Sequence, residues 1–150
     1  MDIEYRKLSE KELDLFIEMR IKQLREEGAK EDFDLKPALR DYYVRHMKDG
    51  TFVSWVAVKD ERIIGTSGMS FVEKPPYFGC PSGKIGLLSS MFTNPDYRRM
   101  GIAKELLHRV VEEARNYGCG TIQITASDMG VKLCTAFGFV HNDNFMQYRL

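Results

Sequence analysis

The most definite chemistry in this sequence lies in Arg98-Arg99-Met100-Gly101-Ile102-Ala103. These residues follow the turn Asn94-Pro95-Asp96-Tyr97 and open a long amphipathic run. The first turn of a helix leaves four backbone N–H groups without intrahelical partners. Those donors converge, and the macrodipole adds positive character at the same point. A diphosphate matches both features. Gly101 permits close backbone approach, and Ala103 is small for the same reason. Arg98, Arg99 and Lys104 add cationic side chains, each worth about 1 kcal/mol where partly exposed. The plainer reading is a solvated loop ahead of a core helix, and Arg-x-x-Gly-x-Ala alone has little specificity. The strand, proline turn and helix around it give it weight. A P-loop needs Gly-x-x-x-x-Gly-Lys followed by Ser or Thr, and none is present. A dinucleotide fingerprint needs three glycines in the turn, and here there is one.

The elements that must position this loop are legible in outline. Ile3 and Tyr5 alternate with polar neighbours, as in a short strand. Ser9 followed by Glu12 is a capping-box pattern. Leu13, Phe16, Ile17, Ile21 and Leu24 then recur at helical spacing, up to Gly28. A polar, mostly acidic stretch, residues 26–34, precedes a second helical run after Pro37 that Gly50 closes. Phe52-Val53-Ser54-Trp55-Val56-Ala57-Val58 reads as a strand covered on both faces. Asp60-Glu61 turn it into a second strand, Ile63 onward to Val72, forming a hairpin. Residues 74–83 hold three prolines and two glycines and read as a loop. A strand over residues 85–93 ends at Asn94-Pro95. Ile102, Ala103, Leu106, Leu107, Val110, Val111 and Ala114 form the apolar stripe of a long helix. A strand over 121–125, a short helix over 129–136 and a last strand over 146–150 complete the order. That order predicts an α/β sheet protein with one βαβ crossover.

The bulk composition bounds the class. The 150 residues fit one domain, 1–150. Hydrophobic residues are 43% and charged residues 29%, a globular balance. Lys plus Arg and Asp plus Glu both number 22, so the net charge is zero and nucleic acid is a poor partner. No stretch is long and apolar enough to span a bilayer, and no leader-like apolar run opens the sequence, so a cytoplasmic protein is expected. Cys80, Cys119 and Cys134 are odd in number and never spaced Cys-x-x-Cys, which argues against a disulfide framework and a structural zinc.

With this loop in this setting, the sequence resembles the GNAT superfamily of acetyl-CoA-dependent N-acetyltransferases, most strongly over residues 84–140. The resemblance implies an α/β fold with a mixed, strongly twisted central sheet, helices on both faces and a splayed strand at the coenzyme site. It implies that residues 98–103, with Lys104, bind the coenzyme A pyrophosphate. The splayed strand would be Leu88-Ser89-Ser90-Met91-Phe92-Thr93, with Met91 and Thr93 as backbone partners of the pantetheine arm. Ala126-Ser127-Asp128-Met129-Gly130 and the later Gly138-Phe139 resemble the second coenzyme motif. One departure matters. Where many members carry a tyrosine that protonates the departing thiolate, this sequence has Cys134. It is either a weak donor acting through a water or a small buried residue.

The reaction implied is direct attack of an amine on the thioester, with acetyl-CoA as cosubstrate and no metal. The amine must be neutral, and the oxygen that gains charge needs a donor. The splayed strand offers Ser89 and Ser90 but no carboxylate. Glu73, near the end of the preceding strand, is a candidate base by topology alone. His46, His108 and His141 have the right titration range. Residues 26–34 are a candidate attractor for a cationic amine, and Tyr42, Tyr43, Tyr77 and Phe78 are candidates for an apolar wall. The leading expectation is an enzyme acting on a primary amine of a small molecule or peptide, possible as a homodimer. A non-catalytic acyl-CoA-binding or sensing module is the second reading, and a Rossmann-type nucleotide binder the third.

Overall fold

The structure of the chain, a computed structural model, describes residues 2–125, 128–142 and 145–150, with residues 128 and 129 described by their backbone alone. Six strands form one mixed sheet: β1 (Glu4–Lys7), β2 (Phe52–Val53), β3 (Trp55–Lys59), β4 (Arg62–Glu73), β5 (Lys84–Thr93) and β6 (Thr121–Gln123). The order is β1-β3-β4-β5-β6, with β2 also on β4. All pairs are antiparallel except β5 with β6. That parallel pair is joined by α3 (Ile102–Tyr117), which is the predicted crossover. The helices α1 (Leu13–Glu26) and α2 (Lys36–Asp49) cover one face, and α3 and α4 (Asp128–Phe137) the other. Among the described residues no helix is long and apolar enough to cross a membrane.

The packing of α3 sets the height of its first turn. Its predicted stripe is the buried one: Ile102, Leu106, Leu107, Val110, Val111 and Ala114, each large side chain worth about 2 kcal/mol when buried. At Gly65 on β4 an added Cβ would lie 3.0 Å from Ile102 and 3.2 Å from Leu106. The missing side chain seats the start of α3 directly on the sheet. On the other face Phe16, Tyr43 and Phe52 interlock edge to face, with Phe16 5.1 Å from Tyr43 and 6.3 Å from Phe52. This cluster holds α1 and α2 over the middle of the sheet.

Three expectations need correction. The strand expected over residues 52–58 is broken at Ser54. The Ser54 hydroxyl donates to the Ser67 carbonyl, and the Ser67 hydroxyl takes over the ladder partners of Trp55. Two buried serines thus substitute side-chain bonds for backbone pairing. The helix expected after Ser9 begins as a 3-10 turn, Glu10–Glu12, before α1. The strand expected over residues 146–150 does not form: these residues have no strand partner among the described residues, and Met146, Tyr148 and Leu150 are exposed. An alternating apolar pattern makes a strand only beside an available edge.

Candidate active site

The loop between β5 and α3 is built to leave its amides free. Asn94 accepts the Asp96 N–H at 3.1 Å and starts a 3-10 turn, Pro95–Tyr97. Arg99 (φ 65°) and Gly101 (φ 82°) are both left-handed. Such alternation turns successive N–H groups toward one side and makes an anion-binding concavity. From Arg99 to Lys104 no amide has a partner among the described residues; the first helical bond runs from Glu105 N–H to the Gly101 carbonyl, 3.1 Å. A Cβ on Gly101 would meet nothing within 4 Å. The position therefore demands the left-handed angle, and the space before the amides is open. Both suit a diphosphate, and the dipole of α3 points its positive end there. Ile102, 1% exposed, anchors the turn, while Arg99, Met100 and Lys104 are exposed.

Arg98 is engaged elsewhere. Its Nε donates to the Thr93 carbonyl at 2.8 Å, and its Nη2 to Glu26 at 3.0 Å. The guanidinium also stacks over the Phe92 ring, 5.5 Å from its centroid. Arg98 thus ties the loop to the end of β5 and to the last turn of α1. The exposed cations beside the free amides are Arg99 and Lys104.

Next to the loop the sheet opens. β5 and β6 pair only over Ile85–Leu87 and Thr121–Gln123, and beyond Leu87 that side of β5 has no neighbouring strand among the described residues. Ser90 is left-handed at φ 57°, and the register with β4 slips between Thr66 and Gly68. This is a β-bulge in the splayed segment. The Thr66 hydroxyl fixes it by donating to the Ser90 carbonyl at 2.7 Å. Asn94 N–H reaches the Ile64 carbonyl at 2.8 Å. By strand alternation the amides of Thr93 and Met91 point the other way, into the opening. The expected backbone donors and the expected diphosphate turn thus lie along one slot. From α1, Gln23 Nε2 donates to the Met91 carbonyl at 3.3 Å, and Arg20 holds Gln23 Oε1 at 3.0 Å.

The face of the sheet under α1 and α2 carries hydroxyls and aromatic rings. The Ser90 hydroxyl is buried and has no hydrogen-bond partner among the described residues. Tyr43 lies behind it; burial raises the Tyr43 pKa, and proximity to Ser90 offsets this in part without hydrogen-bond geometry between the two oxygens. The Tyr42 hydroxyl meets Ser70 at 2.7 Å. His46 stacks on Tyr42 with centroids 4.2 Å apart, and its Nδ1 meets the Thr51 hydroxyl at 2.6 Å. That hydroxyl in turn donates to Asp49.

The other candidates are scattered. Glu73 is the exposed last residue of β4, opposite Lys84. It is five residues from Gly68, which faces the bulge, or about 17 Å along the strand. Cys134 is buried in the cluster of Leu107, Val110 and Val111, where desolvation raises the thiol pKa. His108 is exposed and lies against Phe137, 4.8 Å between centroids. His141 is exposed. Tyr77 and Phe78 are exposed in the loop before β5, at the end of that strand remote from residues 98–104. Of the acidic stretch, Glu26 serves Arg98, Glu31 serves Arg25, and Asp34 accepts the Lys36 amide. In the second coenzyme motif, Ala126 and Ser127 lie outside the described residues. A cleft of about 410 Å³ lined by Met47, Phe52, Phe71 and Tyr117 opens near the far end of α3, away from the slot.

The sequence reading missed Arg20 and Gln23, and it offered Glu26 as part of an amine attractor, not as the partner of Arg98. The three recur at i, i+3 and i+6, one face of α1. That spacing was visible, but their partners Met91 and Arg98 are 68 and 72 residues away.

A family model for the acetyltransferase (GNAT) family matches residues 13–139. An aminoglycoside N(6')-acetyltransferase type 1 of Salmonella typhimurium is 27% identical over 114 residues, covering 69% of this chain and 78% of that protein. Human N-acetyltransferase 8 is 29% identical over 102 residues, covering 63% of this chain but only 43% of that protein. An acetyltransferase of Clostridium acetobutylicum solved with acetyl-CoA superposes with a TM-score of 0.95 at 29% identity, covering 99% of this chain and 96% of that one. The fold is shared with the aminoglycoside N-acetyltransferase AAC(6')-Iy in complex with CoA, TM-score 0.79 at 23% identity, covering 99% of this chain and 95% of that one. With the free-amide turn and the splayed strand in place, the chain belongs to the GNAT family of acetyltransferases and is an acetyl-CoA-dependent acyltransferase.

Proposed function

We propose that this protein moves the acetyl group of acetyl-CoA to a primary amine of a small molecule or peptide by direct attack. The observation that carries the reading is the line of donors facing the opening: the Met91 and Thr93 amides by strand alternation, and the turn Arg99–Lys104, whose amides have no partner among the described residues. In this reading the turn holds the diphosphate through backbone N–H groups, with Arg99 and Lys104 assisting. Arg98 keeps the turn in shape through Thr93 and Glu26. The Met91 and Thr93 amides align the pantetheine arm along β5, and the thioester lies at the bulge.

The chemistry balances without a further reactant. The amine nitrogen bonds to the thioester carbon, the carbon–sulfur bond breaks, and its electron pair leaves on sulfur. One amine proton is lost, and the thiolate gains one. Placed near the bulge, Ser89 and the Tyr42–Ser70 hydroxyl pair suit orientation of the amine, since neither is a base at neutral pH. Glu73 remains a candidate base for an acceptor long enough to bridge the face of the sheet. Cys134, buried and protonated, fits packing better than proton donation. The Salmonella relative is named for a sugar amine of an aminoglycoside, and we place polar primary amines of that kind first among acceptors. We also propose a homodimer, with residues 145–150 of one copy reaching the other.

A second reading, a non-catalytic acyl-CoA sensor, rests on the remoteness of Glu73 and the burial of Cys134 alone, and stands against the family membership. Calorimetry with acetyl-CoA and thiol release across amino acids, polyamines, aminoglycosides and peptide amino termini separate the two. We expect binding and release of thiol with at least one amine class. Binding with no acceptor in the panel giving turnover would leave the sensor, and absence of binding would remove both.

A further inference from the structure

Gln23 is the residue of α1 whose side chain hydrogen-bonds the splayed strand, at Met91. Its amide orientation is decided by its neighbours. Arg20 has only donors, so the group it meets at 3.0 Å is the Gln23 oxygen. The nitrogen therefore faces the Met91 carbonyl, 3.3 Å away. A carboxamide nitrogen carries two hydrogens, and the Met91 carbonyl uses one. A strand residue presents its N–H and C=O at the same edge. The second Gln23 hydrogen thus stands on the edge where the Met91 N–H enters the slot. The carbonyl that Gln23 occupies would otherwise set a bare partial negative charge beside that edge.

The geometry points to a new role, resting on the functional reading above: Gln23 is a second hydrogen-bond donor to the thioester carbonyl oxygen, paired with the Met91 amide. As the amine nitrogen bonds to carbon, the carbonyl electrons move onto oxygen. Two fixed donors meet that charge, one from the backbone of β5 and one from α1. When carbon and sulfur separate, the electrons return to the carbonyl and the pair in the broken bond leaves with sulfur. Arg20 is a positioning residue that keeps the carboxamide from flipping and draws electron density toward its oxygen.

The test combines binding, vibrational spectroscopy and turnover. Gln23→Met keeps the length of the side chain and its helix propensity while removing both hydrogens. Acetyl-CoA labelled with carbon-13 at the acetyl carbonyl reports hydrogen bonding through its stretching frequency. On binding to the parent protein we expect the band to move to lower frequency, and on binding to Gln23→Met to move markedly less. Calorimetry should show acetyl-CoA affinity within about twofold, because the diphosphate turn is untouched, while kcat on an active amine falls about 100-fold, the low end for loss of a preorganised donor. Arg20→Met should give a smaller loss of the same kind. An equal band shift in Gln23→Met, or an unchanged kcat, overturns the role of Gln23. Loss of coenzyme affinity together with thermal stability in Gln23→Met also overturns it, since Gln23 would then only brace β5. Failure of the parent protein to bind acetyl-CoA overturns the functional reading itself, a result distinct from binding with equal shifts.

Discussion

Gly101 and Arg98 divide the work of shaping the turn before α3 in a way their types alone do not reveal. Gly101 supplies an angle, φ 82°, and leaves open space in front of the amides. Arg98 supplies shape, because its guanidinium is spent on Thr93 and Glu26. Gly101→Val places a β-branched residue in the left-handed region, at a cost of about 1–3 kcal/mol, and puts methyl groups where the diphosphate must approach. We expect acetyl-CoA affinity to fall at least ~10-fold, more than the loss of fold alone produces, since each factor of ten is ~1.4 kcal/mol. Calorimetry alongside a thermal melt checks this, and full affinity with a lowered melting temperature would show that the turn does not hold the coenzyme. At this scale the sequence disclosed the turn well: a left-handed glycine at the head of an amphipathic helix is set by neighbours within a few residues. It could not disclose that one arginine faces inward, since the pairing of Arg98 with Glu26 spans 72 residues.

Among the elements, the junction of β1 with the turn before α1 has its own chemistry. Arg6 grips both Glu12 carboxylate oxygens at 2.7 Å, and the Ser9 amide reaches the same group at 3.1 Å. The Arg6 bond holds the Glu12 pKa at about 2, burial working against it and the Ser9 bonds adding to it. A carboxyl depressed in the folded state binds fewer protons there than in the unfolded chain. Its stabilisation is therefore present above the unfolded value of 4.5 and is lost as pH falls through that value toward about 2. Glu12→Gln should cost about 0.5–1 kcal/mol at neutral pH, the scale of a screened ion pair plus a cap. The gap from the parent protein should close between pH 4.5 and about 2 in denaturant titrations; a gap constant over that range would contradict the pairing. The capping residues, the α3 stripe and the turn at Asp60-Glu61, where both residues are left-handed, were legible because each is set within a few residues. The break at Ser54 was not, and the bulge at Ser90 was expected only from the family resemblance, not from its residues. Both rest on hydroxyl bonds to a neighbouring strand, Ser54 to Ser67 and Thr66 to Ser90, and serine carries no periodic signature of such a role.

For the whole molecule, the informative features are an edge and a segment that lack partners. β6 ends the sheet, with no strand on its outer side among the described residues. Residues 145–150 include Phe145, Met146, Tyr148 and Leu150, all largely exposed. An exposed apolar segment and an open sheet edge in one chain suit reciprocal pairing between two copies, which closes by twofold symmetry. Sedimentation should give a dimer for the parent protein, and the double change Met146→Asp, Tyr148→Asp should give a monomer with its coenzyme affinity retained. A parent protein that sediments as a monomer at tens of micromolar would end this reading. The exposed segment has a colloidal consequence as well. Positive and negative side chains balance at 22 each, and the isoelectric point is near 6.8. Near neutrality the molecules therefore lack the mutual repulsion that normally keeps apolar strands in solution apart. Unless a second copy covers those side chains, solubility passes through a minimum at the pH where the protein is expected to work.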